Sequence, residues 1–263
     1  MSELIITIPH YNNPQGLLKT IDSIDEEFSI DIIIVDDGSD DKPNELAIIK
    51  KYDNGKITFQ YLEENQGVGI AANKCLDFVK KKQYKYAARL DAGDKCYKNK
   101  FKKQIDFLEK NPEIKLLGTW AKVIDNDNKH LFTIKHPIDN NKIKKHMYLN
   151  SMFVNPTVVF NTCILKVVPE YPEKYRFAAQ DYAFFFKVIN NFKCANLPEV
   201  LLDYVSNENS ISTTKRKLQV KNRIKIILEN FKPGFYPIYG LFRSCILYFF
   251  SRSTTTLMKK KLV

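Results

Sequence analysis

The chain has 263 residues, 44% hydrophobic and 13% aromatic, with only nine glycines, a balance that excludes disorder and a turn-dense all-β protein. Five scattered cysteines (75, 96, 163, 194 and 245) show no metal-ligand or disulfide-scaffold spacing and suit free thiols in a reducing cytoplasm. The net charge of +11 lies wholly in the tail: positions 215–263 hold twelve Lys/Arg against one acid, Glu229, while 1–214 are neutral, which argues against nucleic acid as a partner of the body.

Met1 leads into a strand at Leu4–Ile8 without a signal peptide, and no apolar run reaches the roughly 18 residues that span a bilayer. Pro14–Phe28 reads as a helix, with Leu17, Leu18, Ile21 and Ile24 at helical spacing. Asp31–Val35 is apolar without alternation, as expected of a strand covered on both faces. A helix at Glu45–Tyr52, a strand at Lys56–Leu62, a helix at Val68–Lys82, a strand at Tyr86–Leu90 and a helix at Lys100–Glu109 continue the alternation. This rhythm predicts a parallel sheet flanked by helices. Beyond residue 112 it loosens. Strands at Leu116–Ile124, Leu131–Lys135, Val158–Phe160 and Glu199–Val205 and a helix at Asp181–Asn190 predict mixed or antiparallel pairing and loops for a second substrate.

In an open parallel sheet, ligands bind beyond the carboxyl ends of the strands. The four strands here are followed by Pro9-His10-Tyr11-Asn12-Asn13, by Asp36-Asp37-Gly38-Ser39-Asp40-Asp41, by Asn65-Gln66-Gly67-Val68-Gly69 and by Asp91-Ala92-Gly93-Asp94. So many carboxylates in one crevice repel one another unless a cation or hydrogen-bond donors offset them. A divalent metal carried by a nucleotide diphosphate is a natural counter-charge.

These segments, with Ala71-x-Asn73, Arg89-Leu90-Asp91, Asn155-Pro156-Thr157 and Gln180-Asp181-Tyr182, resemble in order the family 2 glycosyltransferases. The resemblance spans about residues 3–212 and implies an α/β, Rossmann-like nucleotide-binding mixed sheet, the A-type glycosyltransferase fold. In its terms residues about 1–112 form the nucleotide-sugar half and about 113–214 the acceptor half, while the charge count sets 215–263 apart as a basic amphipathic helical tail. It implies transfer of a hexosyl or N-acetylhexosaminyl group, with inversion, from a nucleoside diphosphate sugar to a hydroxyl of a glycan or lipid-linked glycan in surface polysaccharide synthesis. A UDP-sugar is favoured, with guanosine and thymidine donors open. Pro9, Tyr11 and Asp37 would meet the nucleoside, and Asp91 and Asp94 the ribose, the diphosphate and a Mn or Mg ion. Asn155, Pro156 and Thr157 would border the acceptor, and Asp181 would be the general base. Two positions depart from the pattern: Gly93 replaces a carboxylate, which weakens metal binding, and Gln180 replaces the Glu before the base.

Two other readings compete. Gly67-Val68-Gly69-Ile70-Ala71-Ala72 fits a dinucleotide fingerprint, with Asp91 at the next strand end, and would suggest a nicotinamide-dependent oxidoreductase. A catalytically silent nucleotide-sugar-binding protein of the same fold would also carry Gly93 and Gln180. In the tail, Lys215–Phe231 reads as a basic amphipathic helix. Ile238–Phe250, flanked by Lys232, Arg252 and Lys259-Lys260-Lys261, reads as an interfacial segment on an anionic membrane. The expected location is therefore the cytoplasm, peripheral on the inner face of the cell membrane.

Overall fold

The computed structural model describes residues 2–206 and 214–249. Nine strands form one sheet, and helices cover both faces. β1 (Leu4–His10), β2 (Asp31–Asp36), β3 (Ile57–Tyr61) and β4 (Tyr86–Arg89) are parallel, joined through α1 (Pro14–Asp22), α2 (Glu45–Lys51) and α3 (Val68–Lys82). The short β5 (Lys95–Cys96), α4 (Lys100–Lys110), β6 (Ile114–Ile124), β7 (His130–Ile134) and α5 (Asn140–His146) follow. β8 (Val159–Asn161), α6 (Gln180–Asn191) and β9 (Lys193–Val205) complete the sheet, in the order β3-β2-β1-β4-β8-β6-β9-β5 with β7 on β6. β8 runs antiparallel between β4 and β6, so the two halves of the chain share one continuous sheet.

The pleat sorts the strand residues between two cores. Ile5, Ile33, Val35 and Ala87 face α3 and α6, where Ala71, Cys75, Val79 and Phe184–Phe186 pack. Leu4, Ile6, Ile32 and Ile34 face the other way, toward Leu17 and Ile21 of α1, Ile48 of α2 and Phe101 and Leu108 of α4. Covering on both faces explains the unbroken apolar run of β2.

Several boundaries differ from expectation for local reasons. α1 stops at Asp22, six residues early, because Ser23 turns inward to accept the N–H of Cys96, and Glu26 leaves to cap α4 through the N–H groups of Phe101 and Lys102. α5 was not foreseen: it is seven residues long, buries only Ile143, and depends on the Asp139 cap. β9 begins at Lys193, well before the expected Glu199, and pairs in parallel along β6.

The tail does not form a separate unit. α7 (Arg216–Glu229) buries Ile226 and Ile227 in the core that contains α6, Asn222 donates to the Ala178 carbonyl, and Tyr148 donates to the Asn230 carbonyl. α8 (Phe235–Phe249) crosses close over residue 148, where Gly240 leaves no room for a Cβ against the Tyr148 carbonyl. A boundary at residue 214 therefore cuts a shared core. Arg252 and Lys259-Lys260-Lys261 lie outside the described residues.

Candidate active site

The parallel strands β1, β2 and β4 end side by side, and each delivers a carboxylate or its partner to one ledge. Asp36 is spent on structure. It accepts from the Ser39 N–H and hydroxyl and pairs with the buried His10 at 2.7 Å. The His10 Nε2 accepts the Asn13 N–H, so Nδ1 carries the proton that goes to Asp36. His10 is the buried lock between the first two loops.

Asp37 is also buried, and its two oxygens accept the N–H groups of Gln66 and Gly67 at 2.9 and 3.0 Å. Burial pushes its carboxyl up, and those two bonds and the charge of Lys215 hold it down. Asp37 thereby clamps the third loop to the second. Pro9 is buried in β1, while Tyr11 stands about half exposed at the rim. The loop at Gly67 and Gly69 is filled by its own chain: a Cβ on either glycine would strike Arg176 or Phe177 within about 3 Å. A dinucleotide pyrophosphate needs that space, so the oxidoreductase reading has no site.

Around β4 the acids gather on a buried cation. Arg89 donates through Nε and Nη2 to Asp91 Oδ1 at 2.8 and 2.7 Å, and Asn155 approaches Asp91 Oδ2 at 3.4 Å. Asp91 keeps about a third of its side chain in the crevice. Asp94 is buried. Its Oδ1 accepts the Val205 N–H at 2.9 Å, and its Oδ2 has no partner among the described residues. Burial, followed by the charge of Asp91, lifts the Asp94 carboxyl well above the usual carboxylate range. Gly93 has φ +116°, and only the Asn13 side chain comes within 4 Å of a Cβ there. The space for the missing carboxylate exists, but the backbone conformation disfavours any side chain.

Asp181 lies one residue inside α6, in its first turn; the cap position is Ala179, in the left-handed region at φ 65°. Burial raises the Asp181 carboxyl, and the Asp91 charge adds to this against the Tyr182 N–H and Arg89. The loop that carries Asp181 is anchored by α3. Asn73 exchanges two hydrogen bonds with the backbone of Tyr171, at 2.7 and 2.9 Å, and Gly69 N–H donates to the Arg176 carbonyl. Asn155 faces Asp91, whereas Pro156 and Thr157 are buried and have a supporting place. Thr157 donates to Val154 and accepts the Thr119 N–H, and its carbonyl accepts from Gln104.

The structure thus brings Asp91, Asp94, Asn155 and Asp181 together about Arg89, with Asp37 on the flank. Arg89 and Lys215 were given no role from sequence. An arginine closing an otherwise small, apolar strand was the available signal for the first. A cavity of 630 Å³ opens at the other end of β4, lined by Lys80, Tyr84 and Lys166 among others, and holds none of these acids.

The glycosyl transferase family 2 pattern matches residues 5–166. This chain belongs to that family. A glycosyltransferase of Methanocaldococcus jannaschii is 31% identical, over 98% of this chain and 91% of its own length. The amylovoran biosynthesis glycosyltransferase AmsE of Erwinia amylovora is 27% identical over 100% of this chain and 96% of its own. The UDP-Gal:α-D-GlcNAc-diphosphoundecaprenol β-1,3-galactosyltransferase of Escherichia coli is 28% identical over 70% of each. Among solved structures, S. aureus TarS in complex with UDP superposes with a TM-score of 0.67 at 21% identity, covering 96% of this chain and 73% of TarS. The mannosyltransferase PcManGT of Pyrobaculum calidifontis, in complex with GDP-Man and Mn²⁺, gives 0.66 at 12% identity, covering 99% and 79%. The fold is therefore the A-type glycosyltransferase fold with two C-terminal helices, and the family 2 member described here is a nucleotide-sugar glycosyltransferase.

Proposed function

We propose that this family 2 enzyme transfers a sugar from a UDP-sugar, with inversion, to a hydroxyl of a lipid-linked glycan during surface polysaccharide synthesis. The observation that carries the reading is Asp181: a carboxylate raised by burial in the first turn of α6, beside Asp91 beyond the ends of the parallel strands. A sugar hydroxyl is a weak nucleophile, and a base of raised pKa accepts its proton more readily at neutral pH. Asp181 takes that proton as the hydroxyl oxygen attacks the anomeric carbon, and the bond to the nucleotide diphosphate breaks on the opposite face. One displacement inverts the configuration. Asp37 and Tyr11 flank the nucleoside position, and Asn155 holds Asp91 toward the acceptor.

Mn or Mg fits the residues in part. Among the described residues no three acids or histidines form a metal group, but Asp94 Oδ2 is buried and unpaired. Asp94, supported by Asp91, would hold the ion, with the diphosphate supplying further oxygens, as is usual for Mg²⁺. When bound, such an ion neutralises charge on the departing diphosphate.

The acceptor and the location are read from relatives and from α8. The E. coli relative acts on a diphosphoundecaprenol-linked sugar and AmsE on amylovoran synthesis, both consistent with a lipid-linked or polymeric acceptor. No helix among the described residues is long and apolar enough to cross a membrane. α8 instead turns Phe235, Ile238, Tyr239, Phe242, Ile246 and Phe249 outward along one stripe, Phe242 63% and Phe249 82% exposed. Such a stripe beside basic residues suits an anionic membrane surface.

Asp181→Asn keeps the shape but cannot accept the proton. It is expected to leave UDP binding intact and to lower turnover by roughly 10²–10⁴-fold. Wild-type turnover in that variant would sink the assignment.

A further inference from the structure

Three half-buried arginines of the tail helices lie near one another: Arg223 and Arg243 reach residues 149–150, and Arg216 lies within charge range of Arg223. Arg216 and Arg223 stand seven residues apart, two turns along α7, on the side that also buries Val220 and Ile227. Arg223 Nη2 donates to the Asn150 side chain at 2.8 Å, and Arg243 Nη1 of α8 donates to the adjacent Leu149 carbonyl at 2.7 Å. The same stretch is held from the other side by the Tyr182 hydroxyl, which donates to the Met147 carbonyl. Two guanidinium groups thus converge on residues 149–150, next to the residue that follows Asp181.

Nothing anionic in the described structure is paired with them. None of the three arginines takes part in an ion pair among the described residues, although eight lysines and Arg89 do. Arg216 Nη1 is buried and has no hydrogen-bond partner among them. Burial pushes the Arg223 guanidinium below its usual range; the charges of Arg243 and Arg216 add to this, and Tyr182 and Asp181 oppose it. Clustered cations with an unfilled donor cost free energy when no anion is bound. The outward apolar stripe of α8 begins on the same helix that supplies Arg243.

We propose that Arg216, Arg223 and Arg243 form an anion site for the phosphate or diphosphate of the acceptor, setting its sugar beside Asp181 while its lipid chain runs along α8. This deepens the lipid-linked reading and rests on it. The guanidinium fork matches phosphate oxygens two at a time, which fits three arginines better than a carboxylate would. The donor diphosphate is the other source of the same chemistry, and it must be separated by experiment.

The probe is octyl diphosphate, titrated calorimetrically into the full chain already saturated with UDP, with octyl glucoside as the uncharged control. Octyl diphosphate is expected to bind the UDP-loaded enzyme, and octyl glucoside at least tenfold more weakly. Arg216→Gln and Arg243→Gln should each weaken octyl diphosphate about tenfold or more, the loss expected for a charged hydrogen bond. UDP affinity should stay unchanged, which also reports an intact fold. Should Arg243→Gln fail to fold, Arg216→Gln decides alone, because its Nη1 has no hydrogen-bond partner among the described residues. Loss of octyl diphosphate binding on addition of UDP would assign the arginines to the donor and overturn the proposal. Equal binding in the variants, or equal binding of both octyl compounds, would overturn it too. Failure of UDP itself to bind would strike the donor reading and not the arginine site.

Discussion

Lys100 → Met tests how the start of α4 carries its charge. Lys100 is wholly buried, with Nζ 3.0 Å from Gln104 Oε1 and 3.9 Å from the centre of the Phe101 ring, and it makes no ion pair among the described residues. Burial lowers its pKa from 10.5 to about 8, against the opposing pull of Cys96 and Glu26. In the unfolded chain it titrates near 10.4. Between pH 8 and 10.5 the folded state has therefore released this proton while the unfolded state keeps it. Stability of the wild type must rise with pH across that window, by about 1.4 kcal/mol per unit and about 3 kcal/mol in all. The methionine variant lacks the titration. It also loses the Gln104 bond and the contact of the cation with Phe101, worth roughly 1–3 and 2 kcal/mol, but these losses shift its curve without tilting it. Urea unfolding of both proteins at pH 7, 8, 9 and 10 separates the two contributions, because apart from Cys96 and Glu26, which feel the Lys100 charge, the other groups titrate alike in each. The wild type should gain on the variant only above pH 8, by a midpoint shift on the order of 1 M urea. Parallel curves from pH 7 to 10 would refute the reasoning and mean that water reaches the ammonium group.

Asn73→Ala removes both bonds to the Tyr171 backbone, leaves its N–H and carbonyl buried, and should cost about 2 kcal/mol by thermal unfolding. It should also lower turnover more than UDP affinity, since the loop it anchors carries Asp181. For α8, Phe242→Ser with Phe249→Ser should abolish flotation with anionic vesicles while UDP affinity stays unchanged. Flotation of the wild type should weaken as salt rises and vanish on neutral lipid.

The donor half was legible because its contacts are local. β2 announces itself by four consecutive buried aliphatic residues, and the acids follow strand ends directly, so their meeting on one ledge required only the parallel order. Asp36 and Asp37 look alike in sequence, however. Only the structure shows one closed by His10 and Ser39 and the other clamping Gln66 and Gly67. Chain order likewise gives no hint that β8 enters between β4 and β6, an insertion that places Asn155 against Asp91 across 64 residues. The tail was the hardest part to read. Counting charge marks it as basic, but Arg216 and Arg223 turn inward while Lys217, Lys221 and Lys225 face solvent, and a sum over residues cannot tell these directions apart. Helical spacing could have shown that the two arginines share a face, but not that α6 lies beneath it.

The continuous sheet has a consequence for how specificity can change in such an enzyme. Asp91 and Asn155 hang from the neighbouring strands β4 and β8, whose backbone ladder fixes the spacing between the donor ledge and the acceptor border. Residues 125–150 and 167–179 lie outside that pairing, and apart from β7 and the core anchors Ile143, Met147, Tyr171 and Tyr175 their exposed positions can change while the ruler between the two substrates keeps its graduation. Exchanging only those exposed positions for the residues of a relative with a different acceptor would retool what is glycosylated and leave the machinery that releases the nucleotide in place.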